Sequence, residues 1–81
     1  MKIKLQLFAA ARDAVGNPMV ELELPTDAAV ATLRGQLVAE YPALEPLQDS
    51  LLVAVNNEYA SDETKLQETD EVACFPPVSG G

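Results

Sequence analysis

The chain has 81 residues, enough for one small domain that buries only about 60% of the surface its unfolded form exposes, so its core is expected to be thin. Hydrophobic residues at 48% and charged residues at 22% fit a folded domain, and five Lys+Arg against thirteen Asp+Glu give a net charge of −8, which argues against nucleic acid and anionic membrane as partners. One Cys and no His exclude an intrachain disulfide, a zinc-type ligand set and a Ser–His or Cys–His nucleophile pair within the chain.

In chain order, Lys2 to Phe8 alternates, with Ile3, Leu5 and Leu7 on one side and Lys2, Lys4 and Gln6 on the other, the pattern of a half-buried strand. Ala9 to Asn17 reads as a connection, with turn chemistry at Gly16-Asn17-Pro18. Val20, Leu22 and Leu24 alternate with Glu21 and Glu23 to give a second strand, so the first two strands make a hairpin. After Pro25, Thr26 or Asp27 is positioned to cap a helix whose face carries Val30, Leu33, Leu37 and Tyr41, and Pro42 ends it. Pro42 to Ser50 reads as a loop with room for one helical turn. Leu51 to Val55 forms a third strand, and Asn56-Asn57 suits a tight turn with positive φ. Tyr59-Ala60 begins a short return strand, Ser61 to Asp70 is irregular with Leu66 as its anchor, and Glu71 to Phe75 is the last strand.

This order of hairpin, crossover helix and returning strands predicts an α+β β-grasp, the ubiquitin-like architecture. It is a mixed sheet of four to five strands with one main helix packed on one face, spanning residues 1–75 ahead of a flexible tail at 76–81. The first and last strands are expected side by side and parallel at its centre. One helix covers one face, so the other stays open to water or to a partner. Alternation points Phe8, Ala73 and Phe75 to the open face, with Leu52 and Tyr59 able to join them. A patch holding both Phe residues of the chain is a candidate protein–protein site. Cys74 is expected to be buried beside the helix as an inert thiol.

The charge is uneven. Residues 1–40 carry four basic and five acidic side chains, a net −1, whereas residues 41–81 carry Lys65 against eight acidic side chains, a net −7. An acidic half is compatible with a basic partner surface and equally with a solvated face. An apolar run such as Leu51 to Val55 is far too short to cross a bilayer, and Met1-Lys2 leads directly into alternating residues, so a cytoplasmic location is expected.

The last six residues, Pro76-Pro77-Val78-Ser79-Gly80-Gly81, carry no charge except the terminal carboxylate. Pro-Pro fixes two φ angles and cannot join a sheet ladder, so the chain leaves the last strand stiffly. Two glycines add no side chain and can enter a slot too narrow for other residues. Such a tail can carry a carboxylate into another protein's active site. The chain has no P-loop and no GxGxxG, so activation of that carboxylate requires a partner.

The run DEVACFPPVSGG at residues 70–81 resembles the C-terminus of the molybdopterin synthase small-subunit family. The segments LVAVN at 52–56 and FAAARDAVG at 8–16 resemble that family as well. The sequence departs from it at Ala29 and Thr32, where a capping box is common, and at Cys74, where a larger apolar residue is common. The resemblance implies that an E1-like enzyme adenylates Gly81 with ATP and that a sulfurtransferase then leaves a Gly81 thiocarboxylate. The carrier docks on the large subunit of a heterotetramer and donates sulfur to cyclic pyranopterin monophosphate, forming the dithiolene. It implies no cofactor or metal on this chain and places the acid–base groups on the large subunit. Phe8, Tyr59 and Phe75 would form the docking patch, Arg12 a polar contact beside it, and Pro76 through Gly80 the segment entering the partner. The related sulfur carrier for thiazole synthesis and a ubiquitin-like protein modifier share the fold and the Gly-Gly end and remain open on sequence grounds.

Overall fold

A computed structural model describes residues 1–77 of the chain. Four of the tail residues singled out above, Val78, Ser79, Gly80 and Gly81, lie outside the described residues.

The elements are β1 (Lys2–Leu7), α1 (Ala9–Val15), β2 (Met19–Glu23), α2 (Val30–Glu40), a 3₁₀ segment (Pro42–Leu47), β3 (Leu52–Val55), β4 (Glu58–Tyr59) and β5 (Val72–Phe75). The sheet order is β2-β1-β5-β3-β4, with β1 and β5 parallel and the other neighbours antiparallel. This is the β-grasp, and the expected parallel central pair is present. Ile3, Leu5 and Leu7 of β1, Val20 and Leu22 of β2, Val53 of β3 and Val72 and Cys74 of β5 face one way into the core. The α2 stripe of Val30, Leu33 and Leu37 covers them, and Leu44, Leu51 and Leu66 complete the cluster. Full burial of one such side chain contributes about 1.5–3 kcal/mol. No polar residue is buried among the described residues.

Two local expectations are corrected, and the helical turn expected within Pro42 to Ser50 is found. Ala9–Val15, read as an irregular connection, is a helix. Its Ala-rich stretch has strong helix propensity, and Gly16 ends it at φ 86 while its N–H donates to the Arg12 carbonyl at 2.7 Å. Pro42–Leu47 is regular 3₁₀ structure that seats Leu44 in the core. Neither Thr26 nor Asp27 caps α2. The residue before the helix is Ala29, with no side-chain cap, and Asp27 sits at φ 64 in the preceding turn. The first-turn N–H groups of Val30 and Ala31 donate instead to the carbonyls of Thr64 and Asp62, at 2.9 and 3.0 Å. A distant loop thus satisfies the donors that a missing capping box would leave open. Arg34 reinforces the join through Nε to Asp62 Oδ1 at 2.9 Å and Nη1 to the Gln48 carbonyl at 3.2 Å.

Candidate functional site

With α2 on one side, no helix among the described residues covers the opposite side of the sheet, and register decides what meets there. Leu7 pairs with Cys74 and Leu52 with Phe75, which sets Phe8, Phe75 and Leu52 along one row. The next row crosses all five strands: Met19 opposite Gln6, Gln6 opposite Ala73, Ala73 opposite Ala54, and Ala54 opposite Tyr59. Beyond it the face turns polar, with Lys4 opposite Glu21 and Lys2 opposite Glu23.

The three aromatic residues expected on this face come together. The Phe8 and Phe75 rings meet edge to face with centroids 6.4 Å apart, and Tyr59 leans on Phe75 at 5.8 Å. Such pairs add about 0.5–1.5 kcal/mol beyond the area they cover. Phe75 is half-buried between its neighbours, whereas Phe8 is 46% and Tyr59 73% exposed. Large apolar groups left in water next to one another mark a docking surface more often than scattered single ones do. The backbone explains their placement. Phe8 is the extended residue (φ −128) between β1 and α1, its N–H donating to the Cys74 carbonyl at 3.1 Å, so it stays alongside β5 although the strand has ended. Tyr59 is set by the β3–β4 turn, where Asn56 and Asn57 take φ 52 and 70, as their sequence predicted.

Between the rings the surface dips into a depression of about 360 Å³. Ala54 and Ala73 form its floor, Phe8, Tyr59 and Phe75 its walls, and Gln6 and Asn57 its polar rim. Alternation alone sends Ala73 outward, but its pairing with Ala54 depends on strand register, which no short-range pattern encodes. Arg12 stands apart. It lies on α1, 52% exposed, with Nε 3.7 Å from Asp13 Oδ1, and it borders a neighbouring depression with Phe8, Pro18 and Met19 while sharing none with Tyr59.

The polar half of the face is a separate groove, where Lys2 and Lys4 run between Glu21 on one side and Glu68, Asp70 and Glu71 on the other. The acidic excess of the second half of the chain therefore lies partly along this groove, while Glu58 and Asp70 line a further depression on the far side of Tyr59 together with Lys65. Cys74, directly behind the aromatic row, is buried; burial pushes its thiol up to about 11, with Arg34 pulling the other way. A thiol so placed is protonated at neutral pH and serves as packing. The chain leaves this end of β5 through half-buried Pro76 and exposed Pro77, so the tail starts beside the aromatic patch. No helix among the described residues is long and apolar enough to cross a membrane.

The ThiS family model matches residues 5–81. The molybdopterin synthase sulfur carrier subunit of Arabidopsis thaliana is 37% identical over 81 residues, an alignment covering 100% of this chain and 84% of that protein. The protein of the same name from Chlamydomonas reinhardtii is 37% identical over 83 residues, with 100% of both covered. Among solved structures, SAMP1 from Haloferax volcanii superposes with a TM-score of 0.87 at 32% identity, covering 100% of each chain.

Proposed function

We propose a role from the chain's kinship: it belongs to the ThiS family, and we read it as the sulfur-carrier subunit of a molybdopterin synthase. The observation that carries this reading is its likeness to proteins named molybdopterin synthase sulfur carrier subunit along 100% of its own length.

The chemistry follows from what the chain has and lacks. A carboxylate is a poor electrophile, so the Gly81 carboxylate is first joined to AMP, with pyrophosphate leaving ATP on an E1-like enzyme. The outer sulfur of a sulfurtransferase persulfide then displaces AMP to give an acyl disulfide, and a thiol cleaves its S–S bond, leaving Gly81 as a thiocarboxylate and the two remaining sulfurs as a disulfide. That sulfur is nucleophilic yet covalently held, so it is delivered without release of free sulfide. Cyclic pyranopterin monophosphate in the large subunit receives it, and two transfers build the dithiolene. The chain has no His, and acid–base groups come from the large subunit. ATP belongs to the activating enzyme, and the carrier holds no cofactor of its own.

Docking by Phe8, Tyr59 and Phe75 gives this delivery its geometry. Four residues beyond Pro77 span at most about 14 Å fully extended. An enzyme that takes Gly81 into its active site must therefore sit close against the end of the sheet where the aromatic face lies. Pro76 and Pro77 set the direction of exit, and Gly80 keeps the tip narrow. The assembly is a heterotetramer with two large subunits at its centre, and the carrier works in the cytoplasm.

The test is intact-protein mass spectrometry after incubation with the activating enzyme, ATP and a sulfur donor. The expected result is a mass gain equal to exchanging one oxygen for one sulfur, mapped to Gly81 and absent when Gly80 and Gly81 are deleted. No gain, while a control carrier is converted in parallel, refutes the reading. A second reading, a protein modifier, draws support from the likeness to the small archaeal modifier protein 1 of Haloferax volcanii. Isopeptide-linked conjugates through Gly81, in place of free thiocarboxylate, would favour it.

A further inference from the structure

Two alanines facing each other at the centre of an open sheet face are an unusual choice. Exposed strand positions favour β-branched and aromatic side chains, because these gain cross-strand contacts that an Ala–Ala pair lacks. Ala54 and Ala73 are directly paired, both half-exposed, with Tyr59 and Gln6 as their outer neighbours. Their small size leaves room for the depression of about 360 Å³, which opens to solvent. The surface is therefore not a flat aromatic patch but a socket with a methyl floor and ring walls.

The charge around the socket identifies what fits it. The chain as a whole carries −8, yet among the described residues none lining the socket is charged. The neighbouring groove is where charge gathers, with Glu21, Glu68, Asp70 and Glu71 outnumbering Lys2 and Lys4. A basic side chain would find its counter-charges there and none in the socket. A second copy of this chain would bring the same carboxylates, and the same −8, against its own. The remaining candidate is the protein that receives Gly81, which the short reach beyond Pro77 holds against this end of the sheet.

We propose that the protein accepting Gly81 seats one apolar side chain in this socket, on Ala54 and Ala73 and between Phe8, Tyr59 and Phe75, and that the two alanines set which partners fit. The inference rests on the docking reading above and adds to it a partner that presents an apolar knob and a carrier specificity set by floor volume. Gln6 and Asn57 on the rim are placed to bond the polar backbone around the knob.

The test fills the socket. Ala73→Leu and Ala54→Leu each add volume at a half-exposed strand position, where the larger side chain is compatible with the strand. Binding to the large subunit of the synthase is measured by calorimetry at low and high salt, with Thr69→Leu on the polar half of the same face as the control and thermal unfolding as the check on folding. The expected result is at least about tenfold weaker binding for both socket variants at either salt, with the control unchanged. In the synthase assay the same variants raise KM for the carrier and leave kcat in place. Wild-type affinity in folded Ala73→Leu and Ala54→Leu would overturn the socket. Wild-type binding that collapses at high salt would overturn the apolar knob and point to a basic one. Failure of the docking reading looks different: the unaltered chain does not bind the large subunit, or Phe75→Ala binds as well as it does.

Discussion

Asn56 offers a way to separate backbone strain from side-chain bonding at the turn that holds Tyr59. It sits at φ 52, and its side chain clasps the start of β5: Oδ1 accepts the Glu71 N–H at 2.9 Å and Nδ2 donates to Asp70 Oδ1 at 3.0 Å. Its own N–H donates to the Glu71 carbonyl at 2.7 Å, a bond that every substitution keeps except proline. Asn56→Gly removes both side-chain bonds. Each contributes about 0.5–1.5 kcal/mol, and their exposure favours the lower part of that range. Glycine adopts positive φ freely, and this gain roughly cancels the extra freedom it gives the unfolded chain. The expected loss is therefore about 1–2 kcal/mol. Asn56→Ala loses the same bonds and must also hold a Cβ in the left-handed region, at an additional cost of about 1–2 kcal/mol. Urea unfolding with linear extrapolation measures both, and the m-values report whether the unfolded state has changed. In thermal terms, at about 4–8 °C per kcal/mol for a domain of this size, Asn56→Ala falls at least about 4 °C below Asn56→Gly. Equal losses for the two variants would refute the strain argument. Wild-type stability in Asn56→Gly would refute the clasp.

Leu33→Ala empties the centre of the α2 face, where the side chain is fully buried, and is expected to cost about 2–5 kcal/mol by chemical denaturation, a large share of the total for a small domain. Gly16→Ala meets open space but keeps φ 86, so it should cost about 1 kcal/mol from backbone strain alone, read from the unfolding midpoint. The Cys74 thiol, raised by burial from 9.0 to about 11, binds its proton more tightly when folded than when unfolded. That contribution is fully present below pH 9 and is lost as pH rises through 11, so stability should fall across this window, and Cys74→Ala should fall less steeply in parallel urea titrations. The same thiol should resist iodoacetamide at neutral pH in the folded chain and react after unfolding.

Much of the architecture was legible because short-range periodicity reports which face of an element is wet. The alternations in Lys2–Phe8 and Met19–Leu24 and the Val30–Leu33–Leu37 stripe named the core-facing side chains. Asn56-Asn57 named a turn with positive φ. Ala9–Val15 escaped this reading because one buried residue, Ala11, gives too little periodic signal over seven residues. The cap of α2 escaped it for a different reason: the acceptors are the carbonyls of Asp62 and Thr64, some thirty residues away. A scan for capping side chains near the helix start finds only what is near the helix start.

The candidate site divides along the same line. Phe8 and Phe75 could be assigned to the open face one strand at a time, since outward alternation needs only local sequence, whereas Tyr59 could only be named as able to join them. Arg12, carried on the helix at Ala9–Val15, lies beside Phe8 at the flank of the patch. By itself the sequence determined the hairpin, the main helix, the hydrophobic set of the core and an uncharged tail that ends in Gly-Gly, all properties of neighbouring residues and chain chemistry. Only the tertiary structure decided that Ala54 faces Ala73 and that their methyl groups floor a socket between the rings, because register between strands about twenty residues apart is fixed by how the whole sheet packs on α2.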